Sequence, residues 1–290
     1  MSPGITLARA RPDGTALSNA GLVDLGGSTL VFDTGLTLRA ARDLRAAARA
    51  LTGRSPSLSA NSHWHLDHIL GNQVFDDRPI HATRRTAEIL LEKRAELEAE
   101  VRPDRLRADI EQFESELRAA TSPRGRAPYE AVLRIHRALL AEAAELRITL
   151  PTTLFEGELR LPGERDARLL TFGSGHTESD AMLFLARDRV LFAGDLVVTG
   201  THPNLVSGDP VHWLEVLDEI DRLRPERVAT GHGPLGTLES VAEVRDYLTT
   251  LLELAGEPGD PPIPSRFRHW TEPDQFRTNL ASVRARPRVA

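Results

Sequence analysis

His63-Trp64-His65-Leu66-Asp67-His68 places three imidazoles and a carboxylate within six consecutive residues. Neutral imidazole and carboxylate are the side chains that hold zinc and similar borderline metals, so this crowding points to a metal centre. The run before it, Ser57-Leu58-Ser59-Ala60-Asn61, reads as a short strand, and Gly71 follows soon after. Along an extended segment, side chains two residues apart point the same way, so His63 and His65 are able to grip one ion together. Asp67 and His68 lie about a turn further on, free to face a second ion. The competing reading is a solvated loop with accidental histidines. With only 10 histidines in the chain, three in six positions speak against it.

The composition narrows the chemistry around that cluster. At 290 residues and 40% hydrophobic content the chain is long enough to bury a full core. No apolar run approaches the roughly 20 residues of a membrane span. Met1-Ser2-Pro3-Gly4-Ile5-Thr6 has no basic region leading into an apolar one, so no secretory leader is expected. Cysteine is absent, which excludes disulfides and thiolate ligands and leaves histidine and carboxylate to hold any metal. A cytoplasmic enzyme is the expectation. The net charge of −6 argues against broad nucleic-acid or anionic-membrane binding, leaving a small-molecule substrate. Lys93, in the charged stretch Leu91-Glu92-Lys93-Arg94, is the only lysine. P-loop and Schiff-base mechanisms are thereby set aside.

Outward from the cluster, the first third alternates apolar runs with turn residues. Gly21–Leu25 and Ser28–Phe32 read as strands joined at Gly26-Gly27, a hairpin signal, and Asp33-Thr34-Gly35 closes the second. Thr37 to Leu51 has helical spacing and ends at Gly53. A strand is expected near Pro79–Ala82. From about residue 83 to 150 the chain is charged, alanine-rich and nearly free of glycine, and reads as an insertion of helices broken at Pro103 and across Ser122–Pro128. Leu106, Ile110, Phe113 and Leu117 form one apolar stripe there, and Val132, Ile135, Leu139 and Leu146 another. Packing on the body, a lid over the substrate entrance and a homodimer surface are all open readings of this segment. After Pro151, strands are expected at 152–155, 169–172, 181–185, 190–193 and 227–230. Helices are expected at Pro210–Leu223, with Asp209 as N-cap, and at Leu238–Leu254. The proline-rich tail, from about 256 to 290, is expected to wrap the surface. The whole chain, 1–290, is read as a single domain.

Three later elements repeat one arrangement, a strand ending in glycine and then a metal-binding side chain. They are Phe172-Gly173-Ser174-Gly175-His176, Phe192-Ala193-Gly194-Asp195 and Ala229-Thr230-Gly231-His232-Gly233. Following the opening cluster in this order, they resemble the metallo-β-lactamase-fold hydrolase superfamily from about Gly21 to Leu254, the helical segment apart. The resemblance implies an α/β fold of the α+β kind, a four-layer αββα sandwich with the metal site at one edge between two sheets. It implies that His63, His65 and His176 hold a first metal, that Asp67, His68 and His232 hold a second, and that Asp195 bridges both. Asp33 matches the acid that supports the ligands from behind. Asp180 is a further candidate for fixing a histidine tautomer, against the alternative of a polar turn through Thr177-Glu178-Ser179-Asp180. The implied cofactor is two zinc ions per chain, with iron or manganese as the other metals such donors accept. In such a centre the ions acidify a shared, bridging water to hydroxide, and Asp67 is placed to orient it and to act as the catalytic proton acceptor.

Members of that superfamily cleave many bonds, so the departures matter more than the likeness. True β-lactamases of the family carry cysteine or serine where this chain has Asp195, or add a lysine nearby; here Val197 and Val198 follow. Glyoxalase-type thioesterases follow the cluster with a double glycine and carry basic residues for glutathione, whereas here Ile69-Leu70-Gly71-Asn72-Gln73 follows and the C-terminal region lacks lysine. Gly200-Thr201-His202-Pro203-Asn204, Gly208-Asp209-Pro210 and Trp213 resemble a large bacterial group of general hydrolases. His202 and Trp64 are candidate substrate contacts, against a solvent-facing loop histidine and a core tryptophan. The expectation is a dinuclear zinc hydrolase cleaving an ester, thioester or lactone of a small metabolite. The alternatives are an iron-dependent oxidoreductase of the persulfide dioxygenase type and a broad-specificity hydrolase with weak β-lactamase or phosphodiesterase activity. The first needs only one metal set, and here both are intact.

Overall fold

In the computed structural model of the protein, which describes residues 1–11 and 13–286, period-two alternation sorts the strand side chains to two faces. β2 (Ala20–Asp24) and β3 (Thr29–Phe32) pair antiparallel across the Gly26-Gly27 turn. Val23, Leu30 and Phe32 face one way and Leu22 and Val31 the other. β1 (Ile5–Ala8) adds antiparallel to β2. β4 (Leu58–Ala60), β5 (Ile80–Thr83) and β6 (Thr153–Phe155) then extend the sheet in parallel from β3. The second sheet runs in the order β11-β10-β9-β8-β7, comprising β7 (Glu158–Arg160), β8 (Ala167–Leu170), β9 (Met182–Leu185), β10 (Val190–Gly194) and β11 (Arg227–Thr230). Only β10 and β11 are parallel there.

The two sheets bury their inner faces against each other, with Val23, Leu30 and Phe32 meeting Leu183, Val190 and Phe192. The outer face of the first sheet is covered by α1 (Leu38–Thr52), through Ala41, Leu44 and Ala48. Thr37 caps that helix by accepting from Ala40 N, and Gly53 ends it in the left-handed conformation. The outer face of the second sheet, Met182, Phe184 and Leu191, is covered by α6 (Pro210–Leu223) and α7 (Leu238–Ala255). The layers are thus helix, sheet, sheet, helix, as the resemblance implied.

The helical segment comprises α3 (Arg84–Glu100), α4 (Pro103–Ala119) and α5 (Pro123–Glu142). The break expected across 122–128 is shorter, because α5 starts at Pro123. Ser122 accepts from Gly125 N, Pro123 occupies the first turn where its missing N–H costs nothing, and Pro128 lies inside the helix. Ile89, Leu90, Leu97, Leu106 and Leu139 pack against Trp64, Ile69 and Leu70, so the segment is seated on the cluster-bearing loop.

The tail departs from expectation. Its last residues, 287–290, lie outside the described residues, but 267–283 do not wrap the surface. Phe267 and Trp270, with Phe276, Leu280 and Val283 of α8 (Pro273–Ala285), are buried in the same core as α6 and α7. Phe276, Leu280 and Val283 recur at helical spacing, which puts one apolar face on α7. No helix among the described residues is long and apolar enough to cross a membrane.

Candidate metal centre

Every candidate ligand sits just beyond a strand, at one edge of the sandwich. β4 ends at Ala60 and the chain stays extended through His65, whose φ of −65° and ψ of 145° start α2 (Leu66–Ile69). His63 and His65 therefore lie on extended backbone, while Asp67 and His68 occupy the first turn of a helix. His176 follows β8, Asp195 follows β10 and His232 follows β11. Gly231 is required by close approach, since a Cβ there would lie 1.8 Å from Asp195 Oδ1.

The ligand atoms converge in two sets, His63, His65, His176 and Asp195 in one and Asp67, His68 and His232 in the other, each within 4.8 Å. His65 Nδ1 and His176 Nε2 are 3.0 Å apart. Asp195 Oδ1 lies 3.2 Å from His68 Nε2, and its Oδ2 lies 3.4 Å from His176 Nε2 and 3.3 Å from His232 Nε2. Asp67 Oδ2 is 3.4 Å from His68 Nε2 and 3.3 Å from His232 Nε2. Atoms bound tetrahedrally to one zinc at about 2.0–2.1 Å sit roughly 3.3 Å from each other. The spacings fit that requirement.

Hydrogen bonds behind the rings fix which nitrogen faces inward. Asp33, at the end of β3 with φ of 63°, accepts from Ser62 N at 2.7 Å, from Ser62 Oγ at 2.8 Å and from His68 Nδ1 at 2.9 Å. With its proton given to Asp33, Ser62 Oγ is left to accept from His63 Nδ1 at 2.9 Å. One carboxylate thereby turns the lone pairs of both His63 Nε2 and His68 Nε2 inward. Both atoms are buried without a hydrogen-bond partner, as is Asp195 Oδ1. Buried polar atoms aimed at one another and left unsatisfied fit a cation between them.

The electrostatics agree. Burial holds His63 well below its ordinary range, His65 at about 4 and His176 at about 3, so these rings are neutral donors. Burial alone would raise Asp67 and Asp195, but the neighbouring His68 and His232 hold both well below the usual carboxylate range. Burial opposes charge on His232 too, yet Asp195 and Asp67 lift it to about 10. The two carboxylates thus demand positive charge between them, which a bound cation would supply.

The remaining candidates are placed differently. Asp180 is buried and accepts from Thr177 N and, at 2.8 Å, from Thr177 Oγ1, with burial lifting its carboxyl to about 7. It braces the turn after His176, and its hydrogen bonds go to Thr177 rather than to a ligand ring. Trp64 is 8% exposed and donates to Glu178 Oε2 at 2.8 Å, with Lys93 over its ring, so it is a wall behind His65 and not an open pocket surface. His202 does not face solvent. It is caged by Tyr247, Trp270 and Phe276, because the tail folds over it.

Several supporting residues escape a sequence reading. Asn61 and Asn72 exchange amide hydrogen bonds at 2.9 Å, and Asn61 and Thr34 both donate to the His68 carbonyl. Ser18 donates to the Asp67 carbonyl, and Asn19 Nδ2 donates to the carbonyls of Thr230 and Gly233. Glu272, in the left-handed region at φ of 58°, is close enough to feel the charges of His232, Asp67 and Asp195. Ser62 and Asn61 were detectable from adjacency to the cluster. The others are brought in by long-range folding.

Comparison with known proteins agrees with this geometry. Residues 13–232 match the family described as the metallo-beta-lactamase superfamily. The chain is 27% identical over 214 residues, 70% of its length and 68% of the relative's, to the acyl-coenzyme A thioesterase MBLAC2 of Gallus gallus. A metallo-beta-lactamase from Pontibacter korlensis superposes with a TM-score of 0.55 at 16% identity, covering 80% of this chain and 87% of that one. One from Hirschia baltica gives 0.58 at 15% identity, covering 86% and 95%. The chain belongs to the metallo-beta-lactamase superfamily, whose members are metal-dependent hydrolases.

Proposed function

We propose that this chain is a dinuclear zinc hydrolase that cleaves the thioester bond of a small metabolite. The observation that carries the reading is Asp195, whose Oδ1 approaches His68 while its Oδ2 approaches both His176 and His232. One carboxylate reaching ligands of both halves, His176 of one and His68 and His232 of the other, supports a pair of ions rather than one. His63, His65, His176 and Asp195 would hold the first, and Asp67, His68 and His232 with Asp195 the second. With no thiolate available, imidazole and carboxylate donors suit zinc. A mononuclear iron oxidoreductase would leave the second set without a role. Among ester, thioester and lactone, the similarity to an acyl-coenzyme A thioesterase favours the thioester.

A bound pair of dications supplies Lewis acidity, which acidifies water and polarises a carbonyl oxygen. The protein's own groups do the rest. The side chains of His68 and His176 are 0% and 1% exposed, whereas Asp67 is 15% and His232 26% exposed. Substrate therefore enters on the Asp67 and His232 side. There Asp67 is placed to orient a water and to take its proton. The two sheets contribute to the apolar clusters on both their faces, which supports reading the chain as one domain with the helical segment inserted. The test is a hydrolysis screen of zinc-loaded protein over thioester, lactone, ester, phosphodiester and β-lactam panels. Fastest turnover of a thioester is expected. An inert thioester panel beside rapid lactone or phosphodiester cleavage would overturn the bond assignment.

A further inference from the structure

Beside His232 lies a cavity of about 500 Å³ that the metal centre does not use. Gly233 and Pro234, the residues directly after His232, form one wall, and Ile135 of α5 with Arg134 forms another. The third wall is the N-terminal arm, which contributes Arg9, Arg11 and Leu17. The lining holds three arginines and no carboxylate. Arg9 makes no ion pair or hydrogen bond among the described residues. Among the described residues Arg11 pairs only with Asp13, at 3.1 Å, both side chains being more than 70% exposed, an ion pair weak enough to exchange for a better anion.

The arm is also held in place against a backbone cost. Leu17 adopts φ of 65°, a region that a bulky residue avoids, and leaves its side chain 43% exposed. The next two residues fix it there. Ser18 donates to the Asp67 carbonyl, Asn19 N donates to the Gly231 carbonyl, and Asn19 Nδ2 donates to the carbonyls of Thr230 and Gly233. These bonds tie the arm to the backbones that carry Asp67 and His232. Strain of this kind persists where surrounding contacts over-determine it, and it concentrates at ligand sites. A second cavity of about 860 Å³ shares Arg9, Arg11 and Arg134 and continues along α1, giving room for an extended group. Its carboxylates are Glu142, which accepts from the backbone N–H groups of Leu38 and Arg39, Asp13, which is paired with Arg11, and Asp43 on α1.

We propose that this arginine-lined cavity receives the phosphate-bearing end of the leaving thiol, so that the preferred substrates are acyl thioesters of a phosphorylated carrier. Guanidinium forks match phosphate oxygens, and the apolar Leu17 and Ile135 suit the carrier's uncharged arm. The inference rests on the thioester reading, and its test separates the two. Turnover is measured on three butyryl thioesters, of coenzyme A, of phosphopantetheine and of N-acetylcysteamine, which carry a phosphorylated nucleotide, a single phosphate and no phosphate. For the Arg9→Ala/Arg11→Ala variant, KM for the coenzyme A thioester is expected to rise about tenfold with kcat little changed. KM for the N-acetylcysteamine thioester should stay put. A matching rise for phosphopantetheine assigns the site to the phosphate both share; a rise for coenzyme A alone assigns it to the nucleotide end.

Direct titration of free coenzyme A into both proteins makes the result independent of catalysis. Wild type should bind, and the variant should bind about tenfold more weakly and lose most of the salt dependence. Equal affinity in both proteins, or no binding by wild type, overturns the cavity assignment. Tight, arginine-dependent binding with no thioester turnover would uphold the cavity and overturn the thioester reading instead.

Discussion

Asp33 Oδ2 accepts the Nδ1 proton of His68 at 2.9 Å, and through Ser62 the same carboxylate also sets the orientation of His63. Histidines from both halves of the centre thus depend on one acid that touches neither half's interior. Asp33→Asn keeps the shape but brings an amide group where two donors converge. Metal affinity is expected to fall about 10–100-fold with the fold intact. Zinc competition against a chelator, with circular dichroism as the control, checks this; unaltered affinity would remove Asp33 from the account.

Gly231 and Asp195 are the tightest steric pair of the site. Gly231→Ala places a methyl group 1.8 Å from the present position of Asp195 Oδ1, so the carboxylate must move. Metal content of the purified variant should drop even though no ligand has been replaced. Full occupancy with wild-type activity would mean that Asp195 does not need its observed position.

His202 predicts a pH dependence of stability away from the metal. The His202 ring shares a hydrogen bond at Nδ1 with the Tyr247 hydroxyl, to which Asn279 donates. Burial lowers the ring's pKa from 6.5 to about 4. Between those values the unfolded chain binds a proton that the folded chain refuses. This group's contribution is therefore present above pH about 6.5 and lost as pH falls towards 4. Denaturant midpoints measured across that window should show a shallower acid slope for His202→Gln than for wild type.

The C-terminal tail supplies core rather than cover. Trp270 is 6% exposed and stacks on Tyr247, with ring centroids 5.4 Å apart. Trp270→Ala is expected to cost about 3–5 kcal/mol. A surface strap would cost well under 1 kcal/mol on chemical denaturation.

That tail also marks where the sequence stopped being legible. Strands β2, β3, β9 and β10 and helices α1, α6 and α7 follow from local alternation, helical spacing and caps such as Thr37 and Asp209. The candidate ligands were legible because histidine is scarce in this chain and each group of them follows a strand. α8 was hidden by the proline-rich stretch before it, although Phe276, Leu280 and Val283 carry the helical period. β1 buries only Ile5 and β7 buries no side chain fully, so neither shows a clear apolar alternation. Ser18, Asn19, Asn72 and Glu272 are ordinary loop polars in sequence. Only contacts such as Asn19 to Thr230, 211 positions away, give them a place at the site.

The central claim is a two-ion centre organised by Asp195, and metal analysis tests it most directly. Elemental mass spectrometry of the purified protein should give about two zinc per chain, and Asp195→Asn should lower both together, with loss of hydrolysis. One iron per chain with oxygen consumption, or an Asp195→Asn protein that keeps both metals and its activity, would contradict the account.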